Sequence, residues 1–371
     1  MRRSVACAVL AALLALSLAA PASAAPLTLP LRPQDGFPDP GPPPLVAPAW
    51  TLYDASTGLL LADMAADEER AIASVTKIMT ALVALERASL DELVTISERA
   101  ASTGEKEIGL VPGEQITLDA LLKALLVASA NDAATAIAEH VAGSVSDFVV
   151  LMNQKADELG LTNTRFANPH GLDAPNHYSS AADLVTLTMA AMEHPEFRDA
   201  VRSQVLVFPD APDGTRRIAT TTNLLLGAYA GAVGVKTGFT SRAQLTFVAV
   251  AERQGRTLYA VVLGSEGNRA HFADASALLD YGFGEKGILW TLLRGAPYTS
   301  MVERAGPEPL AVQAGVEALL SVTAPEVAAE PAMMEVAPPE SPSVAITRIP
   351  APGPGSLMDA ARFWLRGLWG G

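Results

Sequence analysis

Apolar positions along this chain change their period several times, and each change marks an element. Trp50-Thr51-Leu52-Tyr53, a polar turn from Asp54 to Gly58, and Leu59-Leu60-Leu61 read as strand, turn and strand. From Ala73 to Leu85 the period becomes helical, with Ile78, Leu82 and Leu85 on one face and Met79, Ala81 and Val83 widening it, which predicts a buried helix. Leu118 to Ala128 and Ala133 to Val141 read as two more helices, separated by Ser129-Ala130-Asn131. Ala232 to Thr237 reads as a strand beside a hairpin formed by Leu245 to Val250 and Thr257 to Leu263, and Ala273 to Tyr281 as a closing helix.

The ends of the chain have a different texture. Arg2 and Arg3 precede an apolar run from Val5 to Leu18, shorter than the roughly 20 residues of a membrane span. Ala22-Ser23-Ala24 then supplies small residues for cleavage before Ala25, so residues 1–24 are expected to be a signal peptide and the protein to be exported. Residues 25–48 form a proline-rich leader, and a folded domain is expected from Ala49. Residues 288–323 hold short β-like pieces, Leu310-Ala311-Val312 and Ala318 to Val322, and residues 324–355 form a linker rich in proline and alanine. Within residues 356–371, Leu357, Ala361, Trp364, Leu365 and Leu368 share one helical face, with Arg362 and Arg366 on another. This predicts an amphipathic helix resting on a membrane surface.

Composition adds two bounds. The formal charge is −14, which argues against nucleic acid as a partner. Cys7, the single cysteine, lies in the signal region, so the exported protein has no disulfide and relies on its core, for which a 50% hydrophobic content suffices. His140, His177 and His194 lack metal-ligand spacing, and no metal or other cofactor is implied.

Candidate chemistry lies in three strings: Ser74-Val75-Thr76-Lys77, Ser129-Ala130-Asn131 and Lys236-Thr237-Gly238. Each alone has a plain reading, as a helix cap, a loop and a strand end. Together they fall, in order, on a helix start, an interhelical loop and a strand, which favours a shared site. Lys77 stands one turn after Ser74, within reach of its hydroxyl. Lysine takes a proton from serine only as a neutral amine, a form favoured by burial and by a second cation such as Lys236. Ser129 would relay a proton between Lys77 and a leaving amine, and Asn131 would hold a substrate amide. Lys236 and Thr237 would attract a substrate carboxylate, and Gly238 would admit a close backbone approach. The backbone N–H groups of Ser74 and Phe239 would form an oxyanion hole, worth about 3 to 4 kcal/mol per donor.

The chain resembles the low-molecular-mass penicillin-binding proteins, the serine-type D-alanyl-D-alanine carboxypeptidases, over roughly residues 49–284. The resemblance rests on the three strings together with Asn168-Pro169-His170-Gly171-Leu172-Asp173, Gly234-Val235-Lys236-Thr237-Gly238 and Leu278-Leu279-Asp280-Tyr281-Gly282-Phe283. It implies an α+β fold of the β-lactamase/transpeptidase type, a mainly antiparallel sheet flanked by helices, with residues 49–287 as catalytic domain. Residues 288–323 would then be a reduced version of a second, β-rich domain. The implied substrate is a peptidoglycan stem peptide ending in D-Ala-D-Ala, with β-lactams as acylating inhibitors. The implied location is the outer face of the cytoplasmic membrane.

Several residues depart from the family pattern. Ile72 and Ala130 stand where proline and glycine are usual, and the arginine generally found before the closing helix is replaced by His271, leaving Arg269 as a weak candidate for carboxylate binding. Glu158 to Asn163 approaches the deacylating Glu-x-x-Leu-Asn string of class A β-lactamases, but Thr162 breaks it, so Glu158 is expected on a solvent face. His170 is expected to bond to backbone. The alternatives are a D,D-endopeptidase of the same fold, a β-lactamase, and a non-catalytic binder of cell-wall peptides.

Overall fold

A computed structural model describes residues 41–284 and 347–349. Its strands, in chain order, are β1 (Ala49–Asp54), β2 (Leu59–Met64), β3 (Leu93–Thr95), β4 (Gln115–Thr117), β5 (Val205–Phe208), β6 (Arg216–Thr220), β7 (Ala232–Thr240), β8 (Gln244–Arg253), β9 (Arg256–Ser265) and β10 (Thr347–Ile349). Five of them form one sheet in the order β2-β1-β9-β8-β7, with every neighbouring pair antiparallel. The first strand therefore lies inside the sheet, between β2 and the last strand of the hairpin, β9, which is central.

This sheet is covered on both faces, which is why β8 and β9 read as almost continuous apolar runs. Successive side chains alternate between two cores. Val248, Val250, Val261 and Leu263 join Ile78, Leu82, Leu125, Phe148 and Leu187 on one face. Phe247, Ala249, Leu258, Ala260 and Val262 join Trp50, Leu52, Leu278 and Leu279 on the other. The closing helix, Ala270–Gly282, covers that second face. The hairpin turn is tighter than its five polar residues suggest, because Gln254 and Gly255 both take positive φ and match the strand twist with two residues.

The helical side supplies most of the site. Lys77–Arg87 follows a short 3₁₀ turn, Ala73–Thr76. The segment expected as one helix from Leu118 to Ala128 is α-helical to Lys123 and then widens to a π-helix over Ala124–Ala128. The N–H groups of Ser129 and Ala130 both reach back to the Ala124 carbonyl, so the widening belongs to the sharp exit into Ser129. Asn131 opens the next helix, Asn131–Ala142, rather than sitting in the loop.

Residues at the end of the expected leader are held to the domain. The N–H groups of Val46 and Ala47 donate to the Asp274 carboxylate, each at 2.9 Å, and Ser265 Oγ donates to the same group at 2.7 Å. Within the expected linker, Thr347–Ile349 pairs antiparallel with Arg216–Ile218 of β6. The segments expected as signal peptide (1–24), first part of the leader (25–40), reduced β-rich region (288–323) and amphipathic tail helix (356–371) lie outside the described residues. Glu158 is exposed and paired with Lys155, as a solvent-face residue should be.

Candidate active site

Ser74 sits on a turn that two other parts of the chain hold in place. Ala73, before it, takes a φ of +50°, unusual for a residue with a Cβ. The Ala73 carbonyl accepts from Thr76 Oγ1 at 2.8 Å, and Thr76 Oγ1 meets His177 Nε2 at 2.7 Å. His177 Nδ1 accepts from the Ala167 N–H at 2.9 Å, so the neutral ring carries its proton on Nε2 and donates it to Thr76. From the other side β7 presses against the turn. A Cβ on Gly238 would lie 2.5 Å from Thr246 Oγ1 and 2.8 Å from the Ser74 nitrogen, so the glycine is required by the protein's own packing as well as by any substrate.

Lys77 is fully buried one turn later. Its Nζ lies 2.7 Å from Asn131 Oδ1, 2.6 Å from the His170 carbonyl oxygen and 3.0 Å from Ser74 Oγ. The first two partners only accept hydrogen bonds, so a neutral amine gives them both its N–H groups and turns its lone pair to the serine hydroxyl. Burial holds the amine well below the usual lysine range, and the nearby Lys106 cation pushes the same way, against Asp132 and Glu105. Lys236, the expected second cation, is likewise held low by burial and by repulsion from Lys77 and Lys106, so the repulsion between the two buried lysines is mutual and Lys106 adds to it.

The left-handed φ of Ser129, 61°, aims its hydroxyl toward β7, where it accepts from Lys236 Nζ at 3.0 Å. Ala130 has a φ of −64°, which any residue adopts, so the glycine usual here is not needed. Ile72 has a φ of −117°, outside the range of a proline ring. Lys236 Nζ also donates to the Thr237 carbonyl at 2.8 Å, and Thr237 Oγ1 donates to Thr222 Oγ1 at 2.6 Å. Above these groups opens a cleft of about 740 Å³ lined by Ser74, Asn131, Thr237, Gly238 and Phe239 among others.

This constellation has counterparts in known proteins. The sequence profile of the D-alanyl-D-alanine carboxypeptidase family matches residues 39–267. The chain belongs to this family. It is 36% identical over 244 residues to the D-alanyl-D-alanine carboxypeptidase DacF of Bacillus subtilis, covering 64% of this chain and 62% of that protein. It is 36% identical over 253 residues to DacC of Escherichia coli, covering 65% of this chain and 62% of that protein. The chain thus spans about three fifths of the length of these two relatives. Among solved structures, the Streptomyces K15 DD-transpeptidase superposes with a TM-score of 0.62 at 33% identity, covering 66% of this chain and 99% of that one.

Against the family pattern, eight of the nine residues named from sequence converge on the cleft or lie directly beneath it. Arg269 does not. It is exposed at the N-cap of the closing helix with a φ of +58°, whereas His271, two residues on, lines the cleft. Burial lowers the His271 imidazole to about 4, so this position carries no cation at neutral pH. His170 uses its ring on backbone, as expected, with Nδ1 accepting from the Leu172 N–H at 3.2 Å, while its carbonyl takes part in the lysine site.

Three residues escape the sequence reading. Thr222 and Lys106 line the cleft but belong to no motif. Asp132 is the third: its carboxylate accepts from the N–H groups of Ile108, Gly109 and Leu110 at 3.0 to 3.1 Å, and so fixes the loop that forms the cleft wall. An acidic residue following Asn131 at a helix start gives a cue for an N-terminal role, but not for those partners.

Proposed function

We propose that this protein is a serine D-alanyl-D-alanine carboxypeptidase that removes the terminal D-alanine from peptidoglycan stem peptides. The observation that carries the reading is the Lys77 amine, buried, with two acceptors engaging its N–H groups and the Ser74 hydroxyl at 3.0 Å. Such an amine is a general base for Ser74.

In this mechanism Ser74 Oγ attacks the carbonyl of the penultimate D-alanine and its proton passes to Lys77. The N–H groups of Ser74 and Phe239 hold the oxyanion. Ser129, whose hydroxyl accepts from Lys236 Nζ at 3.0 Å, delivers its proton to the leaving D-alanine nitrogen as the C–N bond breaks and is restored by the proton held on Lys77. Water then attacks the ester, Lys77 accepts its proton, and Ser74 leaves as the free hydroxyl. Thr237, backed by Lys236, binds the terminal carboxylate, and Asn131 uses its remaining Nδ2 hydrogen on the acyl-donor amide. A β-lactam enters the same route and stops at the acyl-enzyme.

Export through residues 1–24 and attachment to the outer face of the cytoplasmic membrane through residues 356–371 belong to the same proposal, supported by the sequence pattern of those segments. The experiment that tests the activity is release of free D-alanine from a pentapeptide ending in D-Ala-D-Ala by the full chain and by Ser74→Ala. Release by the unaltered protein alone is expected. Cleavage of cross-linked dimers without release from pentapeptide would move the assignment to an endopeptidase.

A further inference from the structure

Among the described residues that line the cleft, Lys106 is the sole lysine or arginine. Lys77 and Lys236 lie beneath the lining, and their N–H groups are engaged by Asn131, His170, Ser129 and the Thr237 carbonyl. The Lys106 ammonium has no hydrogen bond or ion pair among the described residues. It is also half-buried, beside two other lysines, in a chain whose formal charge is −14. An unpaired cation so placed costs free energy in the empty protein, and an anion entering the cleft relieves it.

The backbone around Lys106 is built rather than loose. Its carbonyl accepts from the Asn131 N–H at 2.6 Å, and the Gly104 carbonyl accepts from Asn131 Nδ2 at 3.0 Å. Asp132 holds the N–H groups of Ile108, Gly109 and Leu110, two to four residues on. Lys106 is therefore fixed to the residue assigned to the acyl-donor amide, not to the Thr237 hydroxyl assigned to the terminal carboxylate. The other charged residues lining the cleft do not cancel it. Asp173, which accepts from Thr240 Oγ1 at 2.8 Å, and Glu105 are both exposed to solvent, where their fields are screened.

We infer that Lys106 is a specificity residue that binds a carboxylate on the substrate residue preceding D-Ala-D-Ala. This rests on the carboxypeptidase reading above and names the substrate class within it: stem peptides whose third residue carries a free carboxylate rather than its amide. A lysine ammonium suits the task as a point charge on a flexible stem.

The test uses the full chain and two synthetic peptides ending in X-D-Ala-D-Ala, with X bearing a side-chain carboxylate or the corresponding primary amide. D-alanine release gives kcat and KM for each. The unaltered protein is expected to favour the carboxylate peptide by about tenfold in kcat/KM, chiefly through KM, the scale of one charge-assisted hydrogen bond. In Lys106→Gln the ratio should fall to about one, in Lys106→Arg it should persist, and in Lys106→Glu it should invert. Penicillin labelling of each variant establishes that its site is folded. A ratio unchanged in labelled Lys106→Gln would overturn the assignment while leaving the carboxypeptidase reading intact. No D-alanine from either peptide with the unaltered protein would sink both.

Discussion

His170 meets Lys77 through its main chain: the carbonyl oxygen accepts from Nζ at 2.6 Å, while the imidazole, lowered to about 3 chiefly by burial, stays neutral. The contact survives a change of side chain. Replacing Lys77 by Ala should slow acylation by penicillin about 10²- to 10⁴-fold, the range of a lost general base. Replacing His170 by Ala should cost about tenfold at most, through the loosened turn at Leu172. Stopped-flow acylation rates separate the two, and equal losses would make the His170 ring a direct participant.

Gly238→Ala should damage the site more than the fold. The added methyl meets the Ser74 nitrogen at 2.8 Å, which is backbone and cannot swing aside, so the Ser74 turn must lift from β7. Overpacking of this kind costs about 1 to 3 kcal/mol of stability. Acylation should fall by about 100-fold or more because one oxyanion donor moves with the turn. Rates and urea midpoints measured together check the contrast.

Asp132→Ala leaves the N–H groups of Ile108, Gly109 and Leu110 without their acceptor. A loss of about 3 kcal/mol or more in urea unfolding is expected, since each buried donor carries its own desolvation cost. Asp132→Asn retains one acceptor oxygen and should lose less.

Acid should weaken the protein before its carboxylates titrate. Burial lowers His177 and His271 to about 4 and His170 to about 3 from an ordinary 6.5. The unfolded chain binds these protons from about pH 6.5 downward while the folded chain refuses them. Stability is therefore full above that pH and falls toward about pH 4, by about 1.4 kcal/mol per pH unit for each histidine. Asp132 and Asp183, raised by burial, oppose this at the acid end. Urea unfolding of His177→Gln across this range should show a shallower slope than the unaltered protein.

On the proposed reading, deletion of residues 357–371 should move the protein from the membrane fraction to the soluble one. Unchanged sedimentation with membranes would refute the proposed tail attachment.

What the sequence discloses is what local periodicity and motif spacing encode. The β8–β9 hairpin is legible because its apolar runs are bounded by Gln254-Gly255, and the helix after Ser74 because Ile78, Leu82 and Leu85 keep one face. The strands β5 and β6 escape because their short runs, Val205–Phe208 and Arg216–Thr220, do not stand out from the surrounding loop. Lys106 escapes for a different reason. Gly-Glu-Lys-Glu reads as a solvated turn, and only its bonds to Asn131 and Asp132 bring the lysine to the cleft. Arg269 misleads because one left-handed residue at a helix start decides which of two neighbouring basic side chains faces inward.

The seat of the nucleophile has a consequence for the growing chain. The Ile72 carbonyl, two residues before Ser74, accepts from Thr246 Oγ1 at 3.0 Å across 174 positions of sequence, and Gly238, on the strand beside it, leaves no room for a Cβ next to the serine nitrogen. A polypeptide halted before β7 has its serine and its lysine, but nothing to press them into register. The proposed nucleophile is thus seated only when nearly the whole domain has been made and threaded together, and on the proposed reading an unfinished copy would offer a β-lactam nothing to acylate.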